Sequence, residues 1–244
     1  MNIVIQGCTV TNWSKEPLLT LSHNQQAKLG QAIQCSRQMT SDALHRMKNY
    51  RHRLLVKSID PQMAKDFFQS GTDVKEALEK YFGITTASPG FGTDFDTIIG
   101  KIELTDAGLQ QPFDIVVGHI HDWDDVKEGV SDFFSEFKKF RLRSAFSALG
   151  SIRTGTRGWV SPGHALKRIH LNVDIINSDP RGKIARTIVH EGTHKWANTD
   201  DVAYKWENLP HNAGGYANLT NNADSYAWTC RRIWKRVRHM PAGS

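Results

Sequence analysis

His190-Glu191-Gly192-Thr193-His194 opens the run HEGTHKWANTDDVAYKW, residues 190–206, on which both fold and chemistry turn. Two imidazoles four residues apart on a helix share one face, and a carboxylate beside the first reaches the same side. Such a pair can hold Zn²⁺ while the glutamate acts as a base toward a water that the ion polarises. The competing reading is a pair of buried or capping histidines. A helix is expected here because Ile184, Ala185, Ile188 and Val189 recur at helical spacing, with Pro180 in the first turn and Ser178 or Asp179 as cap. It should stop soon after His194, since Asn198, Thr199, Asp200 and Asp201 favour turns. A turn would bring Asp200 or Asp201 back toward the metal as a third ligand, and spacing does not choose between them.

Upstream, Ile169, Leu171, Val173 and Ile175 alternate with His170, Asn172 and Asp174, which predicts a strand over 169–175. Its polar face, with His170 and Asp174, would border a cleft, and its edge could pair with an extended peptide. Further out, the expected elements are a strand over Asn2–Gln6 and one or two helices over Asn24–Tyr50. A helix opening at Pro61 follows, then a short one capped by Asp73 and ended by Gly83. Thr85–Asp94 reads as a loop, Ile98–Leu104 and Phe113–Ile120 as strands, Lys127–Leu149 as a helix and Gly150–Gly163 as a loop. The layout is a mainly helical region over 1–85 and an α+β region over 86–244, either separate or one continuous domain.

Composition bounds the partners. The chain has 244 residues, 39% hydrophobic and 23% charged, which suits one large or two modest cores. Its apolar stretches are too short to span a bilayer. Cys8, Cys35 and Cys230 are odd in number and far apart, so they read as buried or incidental thiols rather than a disulfide framework or a zinc motif. The net charge of +6 is concentrated near the end, in Arg231, Arg232, Lys235, Arg236 and Arg238. A solvated helix face explains that cluster better than a nucleic-acid surface. Residues 1–17 show no basic stretch leading into an apolar one, so synthesis in the cytoplasm without an ordinary signal peptide is expected. Weaker candidate groups are the His119, His121, Asp122, Asp124 and Asp125 patch, a connector around His211, and Trp196, Trp206, Trp228 and Trp234 as core.

The run over 190–206 resembles the aspzincin metallopeptidases, the deuterolysin and peptidyl-lysine endopeptidase group. In that family His-Glu-x-x-His is followed by Gly-Thr-x-Asp-x-x-Tyr-Gly, and Thr199, Asp201 and Tyr204 fall on matching positions. NNADSYAW, residues 221–228, is similar to the family's Asn-Ala-Asp-Ser-Tyr block. The likeness covers about residues 166–230. It implies a zincin-like α+β fold with a small sheet packed on the metal-binding helix. It also implies His190, His194 and Asp201 as zinc ligands, Glu191 as general base and Tyr204 as oxyanion donor. Asp224 matches a carboxylate that draws a basic side chain into the pocket after the cleaved bond in the lysine-specific relatives. Its partner carboxylate there corresponds to Ala227 here, and Asn198 and Lys205 stand where the family has glycines.

The expectation is therefore a zinc metalloendopeptidase acting on a polypeptide substrate, with Asp224 favouring a basic residue. The alternatives are a zinc amidase acting on cell-wall peptide, and a basic nucleic-acid-binding module with a structural metal. Similar domains look like cargo of bacterial toxin-delivery systems, which would imply export by a signal-independent route and a cognate inhibitor or immunity protein.

Overall fold

The computed structural model describes residues 2–12, 19–59, 71–119, 158–159, 168–203 and 219–239. The expected helices at Pro61 and over Lys127–Leu149, the groups at 121–125 and 211, Trp206 and Tyr204 lie outside them. Among the described residues the fold is α+β, with six helices and one mixed sheet of five strands.

The chain begins with a hairpin, β1 (Asn2–Ile5) and β2 (Cys8–Asn12), paired antiparallel. Gln6 and Gly7 between them both have positive φ, 52° and 77°, the twist that a two-residue hairpin turn requires. Asn-Gly would have announced this turn. Gln-Gly does not, so β2 was not expected. Next, α1 (His23–Ile59) runs unbroken for 37 residues and buries Leu29, Ile33, Met39, Ala43 and Met47 along one side. Helix α2 (Thr72–Phe82) ends as expected at Gly83, whose φ of 68° is left-handed. Its start differs from expectation. Gly71 is the cap residue, and Asp73 is buried and bonded to Arg46 at 2.8 Å.

The largest correction concerns residues 98–104. They are not a strand but the middle of α3 (Phe91–Gln110). Phe95, Ile98, Ile99, Ile102, Thr105 and Leu109 are its buried residues, spaced three or four apart. The glycines at 100 and 108 masked that period. Gly108 is there for packing: a Cβ built on it would lie 2.2 Å from the Trp196 ring. Helix α3 and the motif-bearing helix approach each other at that point.

Strand β3 (Asp114–Gly118) matches expectation, and β4 (Gly158–Trp159) is a short strand inside what read as loop. Strand β5 (Ile169–Asn172) is shorter than its alternation suggested. The chain turns at Asn172, whose side-chain oxygen accepts from the Asp174 N–H and caps α4 (Val173–Ser178). Asp174 therefore lies in a helix rather than on a strand face with His170, and its carboxylate is 3.3 Å from His119 Nδ1. The sheet order is β1-β2-β3-β5-β4, with β2, β3 and β5 parallel and both outer strands antiparallel. Thus β5 is not an edge. Gly158 and Trp159 pair with Leu171 and His170, and β4 holds the outer position.

Helix α5 (Arg181–Ala197) carries the motif and is enclosed chiefly by α1, α3 and α6 (Ala223–His239). The sheet meets it more lightly through β4 and β5. Ile184, Ala185, Ile188 and Val189 are all fully buried, as their spacing implied. The three cysteines are free and buried. On α6, Arg232 and Arg236 both bond Glu76, and the Arg231 guanidinium lies 5.0 Å from the centre of the Trp228 ring. Arg231, Arg232 and Arg236 are thus tied to the protein's own surface. No helix among the described residues is long and apolar enough to cross a membrane.

Candidate metal centre

Helical periodicity places His190 and His194 one turn apart on α5, and their Nε2 atoms are 3.2 Å from each other. Helix α5 then ends at Asn198, which takes the left-handed conformation at φ 50°, ψ 51°. Asn tolerates that region better than most residues, so no glycine is needed to reverse the chain. The reversal carries Asp201 back across the helix. Its Oδ1 lies 3.1 Å from His190 Nε2 and 3.4 Å from His194 Nε2. Of the two aspartates left open by spacing, Asp201 is the one that converges on the imidazoles. Asp200 instead accepts from the Asn221 side chain at 2.6 Å.

Three donor atoms therefore form a triangle with edges of 3.1, 3.2 and 3.4 Å. Ligands about 2.0–2.1 Å from a tetrahedral zinc ion stand roughly 3.3–3.4 Å apart, so the triangle fits one face of such a sphere. The protonation pattern agrees. His194 Nδ1 is 2.7 Å from the Thr199 carbonyl oxygen, which can only accept, so Nδ1 bears the hydrogen and Nε2 is left as the donor atom. Thr199 is held in turn, its hydroxyl donating to Thr193 Oγ1 at 2.8 Å. With neutral imidazoles, three electron-rich atoms converge and require a cation between them. Burial opposes charging of His190 and His194, but the neighbouring carboxylates together, Asp201 foremost, outweigh it and raise both above the ordinary histidine range. Burial likewise opposes ionisation of Asp201, and the two imidazoles reverse that and hold its carboxyl far below the usual carboxylate range.

Glu191 is 3% exposed. Its carboxylate and one ring nitrogen of each histidine all lie within 4.8 Å of one another. Burial pushes its carboxyl up to about 7, against the pull of His190 and His194. A cation held by the triangle would draw it back toward the ionised form.

Asp224 has partners of its own. It is buried, with Oδ1 3.1 Å from Arg186 and 3.6 Å from His190 Nδ1, while Oδ2 accepts from the Trp228 indole at 3.0 Å. The expected pocket carboxylate thus sits behind His190 with its charge compensated by Arg186. Arg186, whose guanidinium also stacks 4.5 Å from the Trp228 ring centre, was not singled out in the sequence. An arginine four residues before the first histidine, on the same helix face, was the signal available. Asn222 stood in the 221–228 likeness without an assigned role. No family model matches this chain, and no curated protein matches it either.

Proposed function

We propose that this protein is a zinc-dependent endopeptidase with a zincin-like fold of the aspzincin type. The observation that carries the proposal is the His190, His194 and Asp201 triangle beside a buried, base-competent glutamate. His190, His194 and Asp201 would hold the ion, a two-nitrogen, one-oxygen set that leaves a position open. When bound, zinc supplies a Lewis acid that polarises the scissile carbonyl and lowers the pKa of water toward neutrality. Glu191 would take a proton from the attacking water and return it to the leaving amine, a role open to a buried carboxylate that a neighbouring cation keeps ionised. The tautomer fixed at Thr199 keeps the His194 Nε2 lone pair directed at the triangle. Tyr204 remains the proposed oxyanion donor by resemblance. The substrate is an extended polypeptide, and β4, the outer strand that meets α5, is the edge offered to it. Because Arg186 compensates Asp224, selection of a basic side chain after the cleaved bond drops out of this reading.

Substitution Glu191→Gln tests the proposal. Metal analysis of the purified variant is expected to give one zinc per chain, while hydrolysis of an unstructured protein such as casein falls by about 10²–10⁴-fold. Full activity in the variant, or wild-type protein that holds iron instead of zinc, would overturn it. A parallel assay on cell-wall peptide separates the amidase alternative.

A further inference from the structure

Two of the three donor atoms sit on a helix and need no further help to meet. Asp201 is different, because 201–203 form neither helix nor strand and the Asp201 side chain is 26% exposed. A free loop would sample many positions, and a carboxylate drawn toward two imidazoles would not by itself settle at bonding distance from both. Something must hold the backbone on either side of it.

The residues immediately before and after Asp201 are held by the start of α6. Before it, the Asp200 N–H donates to the Asn221 carbonyl at 2.7 Å, and the Asp200 carbonyl accepts from the Ala223 N–H at 2.9 Å. After it, the Val202 and Ala203 N–H groups both donate to the single oxygen Oδ1 of Asn222, each at 3.1 Å. Asn222 is fully buried, and its amide nitrogen donates to Ser225 Oγ at 2.9 Å, which fixes the side-chain orientation. Lys101 Nζ donates to Asn221 Oδ1 at 2.7 Å and ties the same turn to α3. Every polar atom of the Asn222 side chain is engaged in keeping the backbone around Asp201 in place or in orienting the amide that does so.

We infer that Asn222 is a positioning residue for the metal centre, acting through the backbone of Val202 and Ala203 to hold Asp201 Oδ1 at the apex of the triangle. The inference rests on the metal-binding reading above. It assigns the start of α6 a task in the site. Asn222 does not touch the ion or the substrate. An amide suits the task because its one oxygen has two lone pairs and can accept from two successive N–H groups, while its nitrogen anchors to the helix start. Leucine has the same branched arrangement of heavy atoms and neither capability.

The test uses the full chain and two readouts that do not depend on catalysis. Zinc affinity is measured by competition with a chelating dye, and ligand number by the visible absorption of the Co²⁺-loaded protein. Asn222→Leu is expected to weaken zinc binding by about 10–100-fold and to shift the Co²⁺ bands toward those of Asp201→Ala. Asn222→Asp, which retains the acceptor oxygen, lies closer to wild type. In an Asp201→Ala background, Asn222→Leu adds less than about twofold, because the atom it positions is already gone. An affinity and spectrum equal to wild type in Asn222→Leu would overturn the inference. So would an equal loss with and without Asp201, since that is the mark of a general structural defect. If Asn222→Leu does not fold, Asn222→Ala carries the same comparison. Wild-type protein that binds no zinc stoichiometrically overturns the metal reading itself, an outcome distinct from all of these.

Discussion

The two halves of the candidate metal centre are built by different means. His190 and His194 come from the middle of α5, a helix enclosed by α1, α3 and α6, and both are nearly inaccessible to solvent. Asp201 comes from an irregular segment past the end of that helix and is partly exposed. Periodicity gives the first half its geometry, so any sequence that keeps α5 helical keeps the histidines together. The second half depends on hydrogen bonds to a distant part of the chain. Damage to the core should therefore cost the first half stability, whereas damage to the α6 start should cost the second half metal affinity.

The strongest challenge to that division is removal of a ligand from each half. His194→Ala, or dialysis of wild-type protein against a chelator, is expected to bring peptide hydrolysis to background, with recovery only in the dialysed protein when Zn²⁺ is restored. Asp201→Ala is expected to keep a two-histidine site that binds zinc at least about 100-fold more weakly than wild type, because loss of a ligand exceeds loss of a supporting group. Dye competition checks both. Equal residual affinity in the two variants would erase the distinction between the halves.

Gly108→Ala probes the helix-borne half by itself. The new methyl would collide with the Trp196 ring, in the last turn of α5. Overpacking of this kind costs about 1–3 kcal/mol, and in a chain of this size each kcal/mol shifts Tm by about 2–4 °C. Calorimetry should show that drop with zinc affinity changed by less than about threefold in whatever protein remains folded. A large loss of affinity at unchanged Tm would contradict the division.

Acid sensitivity can come from outside both halves. Burial, with Arg168 nearby, holds the His170 imidazole down to about 3, so the folded protein keeps it neutral where the unfolded chain binds a proton. The unfolded state then gains protons as pH falls from about 6.5 toward 3, and stability falls with it by up to about 1.4 kcal/mol per pH unit. Denaturation of His170→Asn across that window should show a shallower acid decline. An unchanged slope would leave protonation within the metal centre as the source.

The smallest effect is expected at the hinge between the halves. Asn198→Gly keeps the left-handed turn at φ 50° and should alter stability by no more than about 1 kcal/mol. Asn198→Val, which resists that conformation, should lose more, together with zinc affinity.

The strands and helices were unequally legible. The helical character of Asn24–Tyr50, the Gly83 stop and the buried stripe of α5 follow from spacing and from glycine at a helix end, whereas spacing left one or two helices open where a single one runs to Ile59. Residues 98–104 misled because Ile98, Ile99 and Ile102 favour strands locally, and the burial that makes them helical comes from partners elsewhere in the chain. Asn172 ended β5 early by capping a helix inside an alternating pattern. Asp224 showed its acidity in sequence but not its partner, since Arg186 meets it across 38 positions of chain.

The sequence by itself determined the histidine pair, the glutamate beside it and the need for a reversal after Ala197, because each is fixed by contacts within a few residues. Packing between distant elements settled that Asp201 rather than Asp200 closes the triangle, that Asp224 lies behind His190, and that Asn222 holds the backbone after Asp201. Those outcomes depend on where α6 packs against α5, and local propensity carries no information about contacts between separate elements, such as those that Asn222 makes 19 and 20 residues back along the chain.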